Sequence, residues 1–290
     1  MATIIDGKAI AEKLCAQIKE KVDKLRKLGI RPHIAMINIG ENPASKIYVS
    51  KKEKLAASLG IVSSVYNLGD NTTEEEAANL TECLNNDKTV HAVLLQSPLP
   101  KNLQFGKSVN LIRPDKDADG LTLLNLGKLF SGEPEIVPCT PLGVLHLLRT
   151  VRRNIAGLHA VVIGRSLIVG RPLAQLLLNA NCSVTVLHSY SENIREICRS
   201  ADILVSAVGR PLFIGKEFVK RGAVIIDVGI NRTETNGVKK IIGDADFDAV
   251  SSIAEAITPV PNGVGPMTVA YLMYNTVNLA CRIEGVTLNF

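Results

Sequence analysis

The sequence predicts an α/β protein built as two lobes, each of strands alternating with helices, with a cleft between them. Three observations lead there. Short aliphatic runs alternate with amphipathic stretches along almost the whole chain, the pattern of parallel strands joined by crossover helices. Apolar residues make up 46% of the chain, yet aromatics are only 4% and Trp is absent, so the cores must be packed from Ile, Leu, Val and Ala, as in strands buried on both faces. The 290 residues are enough for two domains, and the turn-rich stretch Pro114–Pro141 reads as the passage between them.

Taken in order, Asp6 can cap a helix running to about Leu28, where Gly29 stops it. His33–Ile39 reads as a strand, Pro43 opens a helix that ends at Gly60, and Val62–Leu68 reads as a second strand. Thr72 or Thr73 caps a helix over Glu74–Asn86, whose first carboxylates meet the positive end of the helix dipole. Val90–Gln96 is an apolar strand closed by Ser97-Pro-Leu-Pro100. Beyond the passage, Pro141–Arg153 is a helix and a second series begins: strand His159–Ile163, helix Gly170–Asn179, strand Ser183–Leu187, helix Ile194–Ser200, then strands Ile203–Ala207 and Ala223–Val228. A last helix, Met267–Ile283, follows a Pro-Val-Pro-Asn-Gly turn.

Several functional classes lose support. A net charge of +5, scattered along the chain, gives no basic stripe for nucleic acid. No apolar run reaches the 18 residues of a membrane span, and the N-terminus lacks the basic and apolar regions of a secretory signal. The six cysteines form no C-x-x-C pair and have no zinc spacing, which fits a reduced, cytoplasmic setting and no metal. Asp115, Asp117 and Asp119 resemble a calcium loop in composition but lack its spacing and terminal Glu.

Two features carry chemistry. The first is strand, glycine turn and helix over His159–Pro172, where Gly164 and Gly170 can bring backbone N–H groups and a helix N-terminus against a pyrophosphate. This makes the second lobe a Rossmann-like nucleotide-binding domain, although G-x-G-x-x-G is absent; a merely structural turn has the same pattern. An NAD site places an acid at the end of the next strand, to hold the ribose 2′-OH. Here that strand ends Leu187-His-Ser189, and Arg165 follows the first glycine, a set that suits the 2′-phosphate of NADP. The second feature is the helix from Pro43, where Tyr48, Lys52, Leu55 and Leu59 share one stripe. A lysine on an inward face is partly desolvated, its pKa is lowered, and it is fit to move protons; a lysine snorkelling from a core margin gives the same pattern. Gln96, at the carboxyl end of a buried strand, could hydrogen-bond Lys52, or face water.

These residues resemble one known family along essentially the whole chain. The blocks Tyr48-Val-Ser-Lys-Lys52, Gln96-Ser-Pro-Leu-Pro100, Pro114-Asp-Lys-Asp-Ala-Asp-Gly120, Pro138-Cys-Thr-Pro-Leu-Gly143, Gly164-Arg-Ser-Leu-Ile-Val-Gly-Arg-Pro172, Asp227-Val-Gly-Ile-Asn231 and Pro259-Val-Pro-Asn-Gly-Val-Gly-Pro-Met-Thr268 look like those of the bifunctional methylenetetrahydrofolate dehydrogenase/methenyltetrahydrofolate cyclohydrolase family. The resemblance implies oxidation of 5,10-methylenetetrahydrofolate with NADP, then hydrolysis of the methenyl product to 10-formyltetrahydrofolate. It implies Lys52 as the acid/base group, tuned by Gln96, with Tyr48 on the aminobenzoyl part of folate, Asp119 on the pterin, and Pro261 and Gly263 also at the substrate. Gly164, Arg165, Ser166, Gly170, Ser189 and Ile230 correspond to cofactor positions. It further implies a homodimer and a discontinuous catalytic domain, residues 1–138 with 262–290, around an NADP domain of 139–261. Asn262 stands where the family has glycine, and Asn tolerates the left-handed conformation such a turn needs. Ser97 stands where an apolar residue is common. The rival readings are a dehydrogenase without the hydrolase step, a shikimate-type dehydrogenase on a similar two-lobe plan, and a non-catalytic nucleotide sensor.

Overall fold

The computed structural model describes residues 2–235 and 238–288. In chain order the elements begin with β1 (Thr3–Ile4), α1 (Gly7–Lys27), β2 (His33–Ile39), α2 (Pro43–Leu59), β3 (Val62–Leu68), α3 (Glu74–Asn86), β4 (Ala92–Leu95), α4 (Phe105–Val109) and α5 (Leu123–Phe130). They continue with α6 (Cys139–Val151), β5 (His159–Ile163), α7 (Gly170–Asn179), β6 (Ser183–Leu187), α8 (Ile194–Arg199), β7 (Ile203–Ser206), β8 (Val224–Asp227), β9 (Asn231–Thr235), β10 (Val238–Ile242), α9 (Phe247–Ser251), β11 (Ala256–Ile257) and α10 (Val264–Ile283).

The chain divides into two compact units, each with its own sheet. One comprises Glu12–Val137 and Val269–Phe290, the other Met1–Ala11 and Pro138–Thr268. The expected boundary assigned residues 1–138 to the first lobe. The structure groups the first eleven with the other unit, because β1 pairs with β11 (Thr3 opposite Ala256). A two-residue strand carries too little pattern to be seen in sequence.

In the three-stranded unit the order is β3-β2-β4, all parallel. The central strand β2 is buried from Ile34 to Ile39, which explains its unbroken apolar run. The amide N–H of Ala9 donates to Asp6 Oδ1, and Gly29, at φ +81°, ends the α1 region as the sequence suggests. Thr73 is the cap of α3, and it forms a full capping box with Glu76, worth roughly 1 kcal/mol. The Pro114–Pro141 stretch is more structured than a passage. Val93 and Asp117 form a parallel bridge that lays Arg113–Ala118 beside β4, and α5 follows within the same unit. Its buried Asn125 donates to Pro114 O and to Asp117.

In the six-stranded unit the order is β1-β11-β8-β7-β5-β6, all parallel, with a separate β9–β10 hairpin. The chain runs from β5 to β6 on one side and then returns to β7 on the other side of β5. The carboxyl ends of β5 and β7 are therefore the topological switch point, where open parallel sheets bind ligands. The core around the sheet is aliphatic, with Val161, Ile163, Leu204 and Ile225 among its fully enclosed members and Phe218 a rare aromatic. The helix expected from Pro141 starts at Cys139, since Pro141 then falls in the first turn, where no N–H is required.

Candidate active site

Lys52 lies in the middle of the buried stripe of α2. The buried residues of that helix are Ser45, Val49, Ala56 and Leu59, so the stripe passes through Lys52, with Tyr48 half-buried at its edge. Leu55, expected on the stripe, is only half-buried, and Ala56 takes its place. The helix is fixed at both ends: Asn42 caps it through Ala44 N–H, and Gly60, at φ +78°, closes it. Lys51 projects from another face, and its ammonium sits 5.9 Å from the centroid of the Tyr48 ring.

Gln96 follows β4 directly and is buried. Lys52 Nζ donates to Gln96 Oε1 at 2.8 Å. The amide is oriented by its own donor, since Gln96 Nε2 hydrogen-bonds Ser97 O at 2.5 Å. That bond leaves the oxygen facing the lysine. The acceptor is the oxygen of a neutral amide.

The three aspartates of Pro114–Gly120 have separate positions. Asp115 pairs with exposed Arg113. Asp117 is buried and accepts from Gly120 N–H, Thr122 N–H and Asn125, so it shapes the loop. Asp119, two residues on, is half-buried.

In the six-stranded unit, the glycine turn lies at the switch point. Gly164 follows β5 at φ +120°, and a Cβ there would stand 2.4 Å from Ala207 O, the residue after β7. A Cβ on Gly170 would stand 2.0 Å from Gly164 O and 2.9 Å from Arg165 N. Both glycines are therefore needed for α7 to start directly against the turn, the close approach a pyrophosphate cradle requires. Ser166 Oγ accepts from Val169 N–H at 3.1 Å, and Arg171 Nε donates to Arg165 O at 3.2 Å. Arg165, Ser166 and Ser189 are exposed, and Ile230 is largely so. No carboxylate occupies positions 188–191 at the end of β6. Pro261 and Gly263 also belong to this unit. Asn262 adopts φ +77°, so the turn forms with Asn in place of glycine, and a Cβ on Gly263 would stand 2.4 Å from Pro259 O.

Comparison with known proteins decides the family. Residues 5–119 match the catalytic domain of tetrahydrofolate dehydrogenase/cyclohydrolase, and residues 138–284 match its NAD(P)-binding domain. The chain belongs to the tetrahydrofolate dehydrogenase/cyclohydrolase family. The bifunctional protein FolD of Wolbachia sp. subsp. Drosophila simulans is 48% identical, over 99% of this chain and 98% of that one. The structure of the bifunctional FolD enzyme from Campylobacter jejuni superposes with a TM-score of 0.94 at 43% identity, covering 97% and 99% of the two chains. That of Trypanosoma brucei FolD, complexed with NADP cofactor and an inhibitor, gives 0.93 at 38% identity, covering 97% and 98%.

This chain is thus a folate dehydrogenase and cyclohydrolase with an NAD(P)-binding domain, and the two-domain α/β fold is the expected one. Among the described residues no helix is long and apolar enough to cross a membrane.

One group in the family's NAD(P)-binding domain escaped the sequence reading. Asp227 and Asp244 are almost fully enclosed beside each other. Asp227 accepts from the N–H groups of Gly229, Asp244 and Ala245. Asp244 accepts from Ser206 Oγ, the N–H groups of Val208, Gly209 and Arg210, and Asn231 Nδ2. Together they tie the loops that follow β7, β8 and β10. Burial, with the neighbouring Asp244 charge, pushes the Asp227 carboxyl up to about 6 despite its N–H partners. The available signal was an Asp at the end of an apolar run with glycine close by. A Cβ on Gly229 would stand 2.1 Å from Asp244 Oδ1, and one on Gly243 2.0 Å from Asp227 Oδ2.

Proposed function

We propose that Lys52 is the proton-transfer group of this enzyme, and that the three-stranded unit carries the folate chemistry. The observation that supports it most is the 2.8 Å hydrogen bond from Lys52 Nζ to the neutral, buried Gln96. A carboxylate in that position would hold the lysine as a cation, and a cation beside the methenyl cation is repelled. With an amide acceptor, a neutral lysine can give one N–H to Gln96 and keep its lone pair for water. It takes a proton as water adds to the methenyl carbon. It returns a proton to N5 as the C–N5 bond breaks, while the hydroxyl proton leaves to solvent. The product is 10-formyltetrahydrofolate, with one proton released overall.

Tyr48, half-buried one turn before Lys52, offers a ring face to the aminobenzoyl group. Asp119 can pair with N–H donors of the pterin, and Pro261 and Gly263 complete the substrate set. NADP is bound by the six-stranded unit through Gly164, Arg165, Ser166, Gly170, Ser189 and Ile230. The glycine cradle fits a pyrophosphate, and Arg165 with Ser189 and no acid suits a 2′-phosphate. When bound, NADP supplies the two-electron oxidant for methylenetetrahydrofolate. We further propose a homodimer through this unit, whose sheet ends in the partly exposed edge strand β6, and a reduced, cytoplasmic setting, in keeping with six free thiols.

The test follows NADP reduction and the methenyl species in wild type and Lys52→Met. General acid–base catalysis contributes about 10²- to 10⁴-fold. Methenyl hydrolysis is expected to fall by that factor, with NADP affinity kept. Undiminished hydrolysis would remove Lys52 from the mechanism. Sedimentation of the intact chain at micromolar concentration tests the dimer; a monomer there rejects it.

A further inference from the structure

The edge of the nucleotide sheet carries an aromatic residue that the assignments above do not use. Tyr190 lies three residues beyond the end of β6 and is 82% exposed. A tyrosine this exposed gains little from burial, yet its place is defined. Its N–H donates to His188 Nδ1 at 3.2 Å, and the two rings meet edge to face at 6.2 Å. The His188 N–H in turn donates to Ser191 Oγ. Arg165 also approaches the ring, its guanidinium carbon 5.8 Å from the ring centroid, within cation–π range. Among the described residues Arg165 forms no ion pair.

We propose that Tyr190 is a positioning residue for coenzyme choice, holding the Arg165 guanidinium ready for the 2′-phosphate of NADP. The proposal rests on the reading that Arg165 is the 2′-phosphate ligand. A cation–π contact takes up none of the guanidinium's N–H donors in a hydrogen bond, so the ring can fix the cation without competing with an anion. A carboxylate partner would fix it equally well but would have to be displaced. An unsupported arginine would lose its rotamer freedom on binding. Exposed Arg165 has no packed core to order it, so the ring of Tyr190 takes that part.

The experiment measures dissociation constants of NADP and NAD, by fluorescence titration of the intact chain, for wild type, Tyr190→Ala, Tyr190→Phe, Arg165→Ala and the double alanine variant. Tyr190→Ala is expected to weaken NADP two- to fivefold, the size of an exposed cation–π contact, and to leave NAD unchanged. Tyr190→Phe, which keeps the ring, should restore the NADP preference. In the Arg165→Ala background the Tyr190 effect should vanish. If Tyr190→Ala weakens NADP and NAD equally, the ring contacts the shared part of the coenzyme and the proposal fails. It fails also if the Tyr190 effect persists without Arg165. If Arg165→Ala leaves the NADP-to-NAD ratio unchanged, the reading beneath it falls with it. A changed ratio in Arg165→Ala with no effect of Tyr190→Ala overturns the role of Tyr190 alone.

Discussion

Replacing Gln96 by Glu changes one atom type and reverses the electrostatics at Lys52. The wild-type contact is Nζ to Oε1 at 2.8 Å, in a position where the residue is 8% exposed. An ionised carboxylate at that distance favours the ammonium and raises the lysine pKa by about 1–3 units. At a fixed pH below that pKa, the neutral fraction falls by roughly 10- to 10³-fold. A second effect opposes it. Gln96 Nε2 donates to Ser97 O, and Glu would set a carboxylate oxygen against that carbonyl, which disfavours its ionisation. The lysine is closely placed to compensate, so the ion pair forms and the lower end of the range is the floor. Hydrolysis of methenyltetrahydrofolate, followed by its absorbance from pH 6.5 to 9.5 in steps, should fall at least about tenfold near pH 7.5, and its rising limb should move up by about 1–3 units. Gln96→Leu moves the limb the other way. It removes an acceptor that favours the ammonium, so burial weighs more heavily against the charge. Opposite shifts in the two variants would assign the limb to Lys52. A limb that stays in place in both, or moves down in Gln96→Glu, would refute the reasoning.

Two further predictions concern the six-stranded unit. Asp227 has a folded-state pKa of about 6, raised from 3.8, so the folded protein binds more protons than the unfolded chain between those values. The stability it contributes is therefore present below about pH 4 and lost as pH rises through 6. With Asp227→Asn as the uncharged reference, the wild-type minus variant unfolding free energy should fall by about 1 kcal/mol between pH 5 and 7 in urea titrations; a difference that does not change with pH would contradict this. Gly170→Ala puts a methyl group 2.0 Å from the Gly164 carbonyl oxygen, against the Gly164–Arg165 peptide itself rather than a side chain that could yield. The start of α7 must then move, at a cost of about 1–3 kcal/mol or more, and NADP affinity should drop by about tenfold or more by fluorescence titration. Unchanged affinity and melting temperature would show that the turn is not the tight cradle described.

Much of the fold was legible because its strands are buried on both faces. β2, β5 and β7 announce themselves as aliphatic runs, the partly exposed edge strands β3 and β6 show as shorter Val-containing stretches beside them, and the caps at Asp6, Thr73 and Gly60 are local in sequence. What escaped depends on distant partners. β1 and β11 have two residues each and exist because they pair with each other and β8. The first strand of the β9–β10 hairpin, Asn231-Arg-Thr-Glu-Thr235, is polar throughout, so no aliphatic run marks it in the sequence. Helix α5 was hidden by the turn chemistry around it, and it is anchored by Asn125 reaching back to Asp117.

The same division holds at the site. Lys52 could be picked from the four lysines of α2 because a helix assigns each residue a face, and the face that buries Val49 and Ala56 carries one of them, Lys52. Its partner was approachable too, since Gln96 ends a strand whose carboxyl end is a place for ligands. No local pattern identifies a group whose meaning lies in convergence. Asp244 draws donors from Ser206, from Val208 to Arg210 and from Asn231, positions up to 38 residues away. The backbone shows the constraint more clearly than the acids do. Gly229 and Gly243 have no room for a Cβ because the two carboxylates occupy it. An aspartate in a sequence has many uses, but a glycine whose Cβ, if it had one, would stand about 2 Å from a buried carboxylate oxygen has one, to let that oxygen reach the N–H groups around it. The loops at the carboxyl edge of the nucleotide sheet are thus held by charge solvated with backbone amides, and the Asp227 titration predicted above is the cost of that arrangement made measurable.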